Sequence, residues 1–120
     1  MASKVFSPLF IIFAYTSILK EMTNKEKSDI KKKLKEALSN ENEVSRIVVF
    51  GSFLNSKNPN DIDVAIFQDS KEIYLKLAIK YRRLTREIAK ILPIDIIPLK
   101  SNATGIFLNE INSGEVIYER

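Results

Sequence analysis

The sequence predicts an α/β (α+β) fold in which helices pack on a small mixed β-sheet. Short runs of β-branched apolar residues, bounded by Gly, Asn or Pro, predict strands. Longer segments with an apolar residue at every third or fourth position predict helices. The chain has 120 residues, of which 45% are hydrophobic and 28% charged, and this is typical of one globular domain. The predicted order of elements is α, β, β, α, β, α, β.

The first helix is predicted over residues 24–39. Thr23 and Glu26 have the spacing of a capping box, in which each side chain bonds the other residue's backbone N–H. Ile30 and Leu34 follow at helical intervals, and the lysines between them are expected in solvent. An Asn-rich segment ends this helix.

Two strands are predicted next, over residues 47–50 and 61–67. Each is an apolar run too short for a helix, and the first is bounded by Gly51. Residues 51–60 are rich in Gly, Ser, Asn and Pro, which predicts a turn. A connection of this length indicates an antiparallel or skewed pair of strands.

Residues 71–92 have helical periodicity and predict the longest helix of the chain. Tyr74, Leu77 and Tyr81 lie at helical spacing and are expected in the core. Five basic residues line this helix, and we interpret them as a solvated face or, alternatively, as a docking surface for an RNA or an acidic partner. They are Lys76, Lys80, Arg82, Arg83 and Arg86.

A third strand over residues 94–99 is predicted to stop at Pro98, because proline cannot donate a ladder hydrogen bond. The helix ahead of it is long enough to be the crossover between the second and third strands. Residues 103–112 predict a short helix closed by Gly114, and residues 115–118 a final strand.

The most apolar stretch of the chain, residues 5–19, precedes the predicted domain. Three interpretations stay open: translation that starts at Met22, an element that packs on the domain or on a second copy, and a targeting or membrane segment. The stretch is short for a spanning helix, which needs about 20 apolar residues. The predicted organisation is an apolar extension of unassigned role over residues 1–22 and one domain over residues 23–120.

The residue types present restrict the available chemistry. The chain has no Cys and no His, which excludes disulfides, thiolate sites and the commonest zinc ligand and general base. Catalysis must therefore use carboxylates, hydroxyls, amines or a metal held by oxygen ligands. The net charge of +4 suits phosphate-bearing ligands but falls short of a nucleic-acid-binding signature. We expect a cytoplasmic protein that binds no membrane.

Three acidic residues occupy positions where carboxylates are unfavourable. Asp61 and Asp63 flank Ile62 at the start of a strand, and residues i and i+2 of a strand point to the same face, about 7 Å apart. Asp95 is the lone charge in the third apolar run. Carboxylate oxygens suit Mg²⁺, and two divalent ions about 3.5–4 Å apart are the usual device for in-line phosphoryl displacement. The alternatives are a solvated strand end for the first two residues and an exposed edge position for Asp95.

Gly51 and Ser52 directly follow the first predicted strand and form a candidate phosphate-binding turn. A glycine lets the backbone approach an anion closely, and N–H groups together with a serine hydroxyl can bind phosphate oxygens. Alone, the pair is typical of an ordinary tight turn. Combined with the three aspartates, it indicates a nucleotide site.

A family resemblance is carried by the stretches VVFGSFLNSKNPNDIDVAIF and IDIIPL and by the tail FLNEINSGEVIYER. The chain resembles the nucleotidyltransferase superfamily that includes DNA polymerase β, and in particular the minimal nucleotidyltransferases that pair with HEPN-domain proteins. The resemblance covers residues 44–120. The family pattern of Gly-Ser, Asp-x-Asp and a third Asp corresponds to Gly51, Ser52, Asp61, Asp63 and Asp95.

The resemblance implies a reaction. Asp61 and Asp63 would hold two Mg²⁺ on the triphosphate of ATP or another nucleoside triphosphate, and Asp95 would complete one metal site and help to deprotonate an acceptor hydroxyl. Gly51 and Ser52 would bind the β/γ end. The implied product is an acceptor–NMP adduct plus pyrophosphate.

The resemblance also implies a partner. The acceptor would be a HEPN-type toxin, and the chain would be its antitoxin. From the mild net charge we expect no direct binding of nucleic acid. The sequence leaves open whether the chain forms a homo-oligomer.

One difference from the family pattern leads to an alternative function. Members commonly carry Arg-Gly a few residues after Gly-Ser, whereas no arginine and no second glycine lie between Ser52 and Asp61 here. The alternative is a catalytically weak or inactive antitoxin of the same fold that acts as a protein-binding module. Clustering of the three carboxylates at one point that faces Ser52 would favour an active enzyme over a binding module.

Overall fold

A four-stranded mixed sheet lies at the centre of the fold. The computed structural model describes residues 21–120, and helices pack on both faces of the sheet. The predicted α/β class is therefore confirmed. The elements are α1 (Asn24–Leu38), β1 (Val44–Phe50), α2 (Ser52–Asn55), β2 (Ile62–Gln68), α3 (Tyr74–Leu84), α4 (Arg86–Ala89), β3 (Ile94–Lys100), α5 (Phe107–Asn112) and β4 (Glu115–Glu119).

The strand order across the sheet is β3-β2-β1-β4. β1 pairs antiparallel with β2 and with β4, whereas β2 and β3 are parallel. This order confirms the antiparallel pair predicted across residues 51–60 and the helical crossover between the second and third predicted strands. Within residues 21–120, β1 and β2 are central, and β3 and β4 are the edges.

The two faces of the sheet carry separate apolar cores. On the first face, α1, α3 and α4 pack over Ile62 and Val64 of β2. On the second face, α5 packs over Ala65 and Phe67 of the same strand. Because strand side chains alternate between faces, Asp63 lies on the second face, near the start of β2.

α1 forms as the sequence predicts. Thr23 Oγ1 accepts a hydrogen bond from Glu26 N at 3.1 Å, and Glu26 Oε1 accepts one from Thr23 N at 2.9 Å, which completes the capping box. Ile30, Leu34 and Leu38 are buried in the first core.

The prediction of a single helix over residues 71–92 is wrong, because two shorter helices, α3 and α4, occupy this segment. The Ser70 hydroxyl accepts a hydrogen bond from Glu72 N at 2.9 Å, and such local bonds compete with a helix, so α3 begins only after this turn. Thr85 Oγ1 donates to Tyr81 O at 2.9 Å, and the backbone of Thr85 (φ −105°, ψ 11°) separates the two helices. In the described part of the chain, α1 with its 15 residues is the longest helix.

Two smaller expectations about the core and the strands are corrected. Leu77 and Tyr81 are buried, but Tyr74, which opens α3 ahead of the first buried residue, is 58% exposed. β3 runs through Pro98 to Lys100, because an edge strand tolerates a proline whose missing N–H is not needed for pairing.

The apolar stretch over residues 5–19 lies outside the described residues. Its three interpretations and the domain boundary after residue 22 therefore stay predictions. Within residues 21–120, no helix combines the length and apolar character that crossing a membrane requires. Met22 N donates to Lys57 O at 2.8 Å, and the Met22 side chain packs against the first core.

Candidate functional site

Two parallel strands bring the candidate metal ligands together. Asp63 of β2 and Asp95 of β3 are register partners, and Asp61 immediately precedes β2. One carboxylate oxygen from each of the three residues lies within 4.8 Å of the other two. The two strands therefore gather these carboxylates at one point at the end of the sheet.

The burial of Ile62 explains the common orientation of its two neighbours. Ile62 is fully buried in the first core, and alternation along the strand directs Asp61 and Asp63 to the opposite side. Ile62 N donates to Pro93 O at 2.8 Å, which aligns the start of β2 with the start of β3. Asp95 is exposed on the edge strand β3, the position named above as the alternative to a metal ligand. Its carboxylate nevertheless lies beside those of Asp61 and Asp63.

The crowding of acidic groups affects the ionisation of Asp63. Burial raises the pKa of the Asp63 carboxyl above its usual value, and the charges of Asp61 and Asp95 act in the same direction. Glu110 of α5 adds to this increase in pKa. No local sequence pattern points to Glu110, because its proximity to Asp63 arises from the packing of α5 on the sheet.

These residues fit a hard divalent cation. Magnesium binds carboxylate oxygens, commonly one or two of them, together with phosphate oxygens and water. Burial is the largest cause of the raised pKa of Asp63, and a cation between the three carboxylates would offset the repulsion that adds to it. The arrangement can therefore hold a metal ion and present it to a ligand that carries phosphate.

Gly51 lies directly against this group of carboxylates. Its φ is +81°, in the region that side chains other than glycine rarely adopt. A Cβ atom at this position would lie 2.3 Å from Asp63 Oδ2. Glycine is thus required here both for the backbone conformation and for the space that the carboxylate occupies.

The turn that carries Ser52 is anchored to the rest of the fold. Phe53 is fully buried, and Ser56 N donates to Ser52 O at 2.7 Å, which closes α2. Lys27 Nζ of α1 donates to Ser56 O at 2.6 Å. Lys27 is not among the site residues predicted from the sequence, although a signal is present there. It lies three residues before Ile30, on the stripe of α1 that faces inward.

Solved structures share this fold. A chain of the complex of tri-AMPylated Shewanella oneidensis HEPN toxin with MNT antitoxin matches with a TM-score of 0.54 and 19% identity, over 78% of this chain and 73% of that one. A chain of the toxin–antitoxin complex MntA–HepT matches with a TM-score of 0.52 and 17% identity, over the same 78% and 73%. At these identities the similarity establishes the fold alone. No curated protein matches the sequence significantly.

The family assignment comes from the sequence itself. Residues 32–120 match the family described as Polymerase beta, Nucleotidyltransferase. This range is most of the chain and contains both the glycine turn and the three clustered aspartates. The chain therefore belongs to the polymerase beta nucleotidyltransferase family.

Proposed function

We propose that this chain is a Mg²⁺-dependent nucleotidyltransferase that transfers AMP from ATP to a hydroxyl group of a HEPN-type partner protein, and that it acts as the antitoxin of that partner. The observation that carries the proposal is the meeting of Asp61, Asp63 and Asp95 within 4.8 Å, beside Gly51. Family membership supports the reaction type. The shared fold with a chain from a complex of an AMPylated HEPN toxin supports AMP as the transferred group and a HEPN protein as the acceptor.

Each residue of the site has a role in this proposal. Asp61 and Asp63 would hold Mg²⁺ against the triphosphate, and Asp95 would complete one metal site. Mg²⁺ bound there would supply charge neutralisation and polarise phosphoryl oxygens. Gly51 lets the backbone come close to the phosphates, and the exposed Ser52 hydroxyl donates to an oxygen at the β/γ end.

The transfer is an in-line displacement at the α-phosphorus. The acceptor hydroxyl oxygen forms a bond to that phosphorus, the bond to the bridging oxygen breaks, and pyrophosphate leaves. Asp95 accepts the hydroxyl proton on a carboxylate oxygen, and its exposure makes it the carboxylate that an acceptor on another protein can reach. The remaining contribution of the protein is positioning and charge neutralisation.

Label transfer tests this function. The full chain is incubated with MgCl₂, a HEPN-type partner and ATP labelled with ³²P at the α-phosphorus. We expect label on the partner with the wild type and at least about 100-fold less with Asp61→Asn, since removing one ligand disrupts metal and triphosphate together. ATP labelled at the γ-phosphorus should leave the partner unlabelled, because the γ-phosphate departs in pyrophosphate.

Asp69→Asn is the matched control for this experiment. Asp69 follows the opposite end of β2 and pairs with Arg120 at 3.3 Å, away from the three clustered aspartates. The Asp69→Asn variant should transfer AMP at the wild-type rate. Equal labelling by wild type and Asp61→Asn would contradict the assigned site, and label from the γ-position would contradict the assigned reaction.

The arginine-free turn favours a second candidate, a protein-binding module without turnover. In that case the chain binds its partner and leaves it unlabelled, and the complex survives Asp61→Asn. Size-exclusion chromatography of the mixture, run beside the labelling experiment, separates the two candidates. Label on the partner that Asp61→Asn abolishes rules out the binding module.

A further inference from the structure

We propose that Lys27 of α1 is a positioning residue that clamps the turn Gly51–Ser56 and thereby sets the place of the Ser52 hydroxyl for the nucleotide. The inference rests on the proposed function, since the clamp affects nucleotide binding only if this turn binds phosphate. Lys27 precedes the family-matched residues 32–120. The support for the turn therefore comes from a part of the chain that the family match does not include.

Two contacts hold the Lys27 ammonium at the turn. Its Nζ donates to Ser56 O at 2.6 Å, and it lies 5.6 Å from the centre of the Phe53 ring. A hydrogen bond from a charged donor is about twice as strong as a neutral one, and the ring face attracts the same cation. Lys27 is half-buried, so water competes less for these contacts than it does at an exposed lysine.

The turn needs such support because α2 is too short to be stable alone. It is a single helical turn of four residues, and an isolated helix of this length does not persist in water. Its closing hydrogen bonds run from Leu54 N to Gly51 O at 3.2 Å and from Ser56 N to Ser52 O at 2.7 Å. Lys27 holds the carbonyl of Ser56 itself and so fixes the end of α2 against α1.

α1 is a rigid base for this clamp. The capping box orders its first turn, and Ile30, three residues beyond Lys27, is buried in the first core. A second connection lies next to the first, since Met22 N donates to Lys57 O at 2.8 Å. Fixing the end of α2 also fixes its beginning, where Ser52 follows Gly51 in the chain. Gly51 in turn lies beside the Asp63 carboxylate.

Three variants of the full chain test the clamp. Lys27→Met removes the ammonium and keeps an apolar stem, whereas Lys27→Arg restores a cation. Lys31→Met is the matched control, because Lys31 lies one turn further along α1 and forms an ion pair with Glu115 Oε1 at 2.9 Å. Each is studied by hydrogen exchange of backbone amides, by calorimetric titration with MgATP and by thermal unfolding.

We expect Lys27→Met to accelerate exchange of the Ser56 amide about fivefold or more and to weaken MgATP binding about threefold or more, since loss of one charge-assisted bond loosens the turn. Lys27→Arg should restore at least half of both effects. Lys31→Met should leave both at the wild-type values, even if its melting temperature falls as far as that of Lys27→Met.

The possible results separate this inference from the proposed function. Unchanged exchange at Ser56 in Lys27→Met overturns the clamp, whatever the nucleotide affinity. Faster exchange with unchanged MgATP affinity overturns the role of the clamp in nucleotide binding while the proposed function stands. A wild-type chain that binds no MgATP contradicts the enzymatic proposal and with it the nucleotide role of Lys27, and the exchange data then still decide whether the clamp exists.

Discussion

Gly51 links the backbone conformation of the turn to the position of a carboxylate. Its φ of +81° disfavours any side chain, and a Cβ would lie 2.3 Å from Asp63 Oδ2. We expect Gly51→Ala to lower the free energy of unfolding by about 1–3 kcal/mol, because strain at positive φ adds to the displacement of Asp63. Urea unfolding measures the stability loss, and titration with Mg²⁺ measures the loss of metal affinity.

Gly105 provides the control for this substitution. Its φ is +136°, but a Cβ there would meet no atom of the described part of the chain within 4 Å. Gly105→Ala should therefore show backbone strain without a steric clash and keep the wild-type affinity for Mg²⁺. Equal loss of Mg²⁺ affinity in both variants would mean that contact between Gly51 and Asp63 does not shape the site.

At Asp63, the requirement for a metal-binding carboxylate conflicts with the stability of the metal-free fold. Its raised pKa, caused first by burial and then by Asp61 and Asp95, means that the ionised form disfavours the folded state at neutral pH. We expect Asp63→Asn to raise the melting temperature of the metal-free chain by roughly 2–5 °C, because a neutral amide removes both the partly buried charge and its repulsion by Asp61 and Asp95. Mg²⁺ should raise the melting temperature of the wild type and leave that of Asp63→Asn nearly unchanged. A lower melting temperature for Asp63→Asn without metal would contradict this account.

At the scale of elements, α3 is held to the segment before β1 by a polar network. Tyr81 Oη donates to Glu43 Oε2 at 2.8 Å, and Lys80 Nζ lies 2.9 Å from the same oxygen and 2.6 Å from Glu41 Oε1. Burial opposes the ionisation of Glu43. The hydrogen bonds from Lys80, from the Glu43 backbone and from Tyr81, together with the Lys80 charge, outweigh burial and lower the pKa of the Glu43 carboxyl. Burial raises the pKa of Tyr81, which therefore stays protonated and donates.

This network predicts a pH dependence of stability. The folded-state pKa of Glu43 lies below the unfolded value of 4.5. The ionised Glu43 carboxylate therefore stabilises the folded state above pH 4.5, and this stabilisation is lost as the pH falls through the folded-state pKa. The difference in unfolding free energy between wild type and Glu43→Gln should be about 1–2 kcal/mol at pH 6 and shrink steadily below pH 4.5. Urea unfolding between pH 3 and 6 measures it.

Glu72→Gln serves as the control for Glu43→Gln. Glu72 forms an exposed ion pair with Lys76 at 3.4 Å, and such pairs contribute little. Its removal should change the unfolding free energy by less than about 0.5 kcal/mol at every pH. A difference between wild type and Glu43→Gln that does not vary with pH would contradict the assigned role of the Glu43 charge.

At the scale of the whole molecule, the strand order predicts where the fold opens first. Among the described residues, β1 and β2 are paired on both sides, whereas β3 and β4 are edges with a neighbour on one side only. Native-state hydrogen exchange should show amides of β1 and β2 exchanging only through global unfolding, and amides of β4 exchanging at least about tenfold faster. Equal protection of β4 and β1 would indicate that something covers this edge in solution.

Much of this architecture is encoded locally. The capping box and the positions of Ile30 and Leu34 predict α1, and the short apolar runs predict all four strands to within a few residues. Asp61 and Asp63 share a face because side chains alternate along any strand, whatever its neighbours. These features depend on residues close in the chain, so the sequence by itself determines them.

Only the tertiary structure decides the rest. Periodicity cannot show that the backbone of Thr85 leaves the helical conformation, nor that Pro98 lies on an edge where its missing N–H is tolerated. The approach of Asp95 to Asp63 depends on the parallel register of β2 and β3, and the contact of Lys27 with Ser56 joins residues 29 positions apart. Each of these features arises between segments distant in sequence, where packing and register, rather than local pattern, determine which atoms meet.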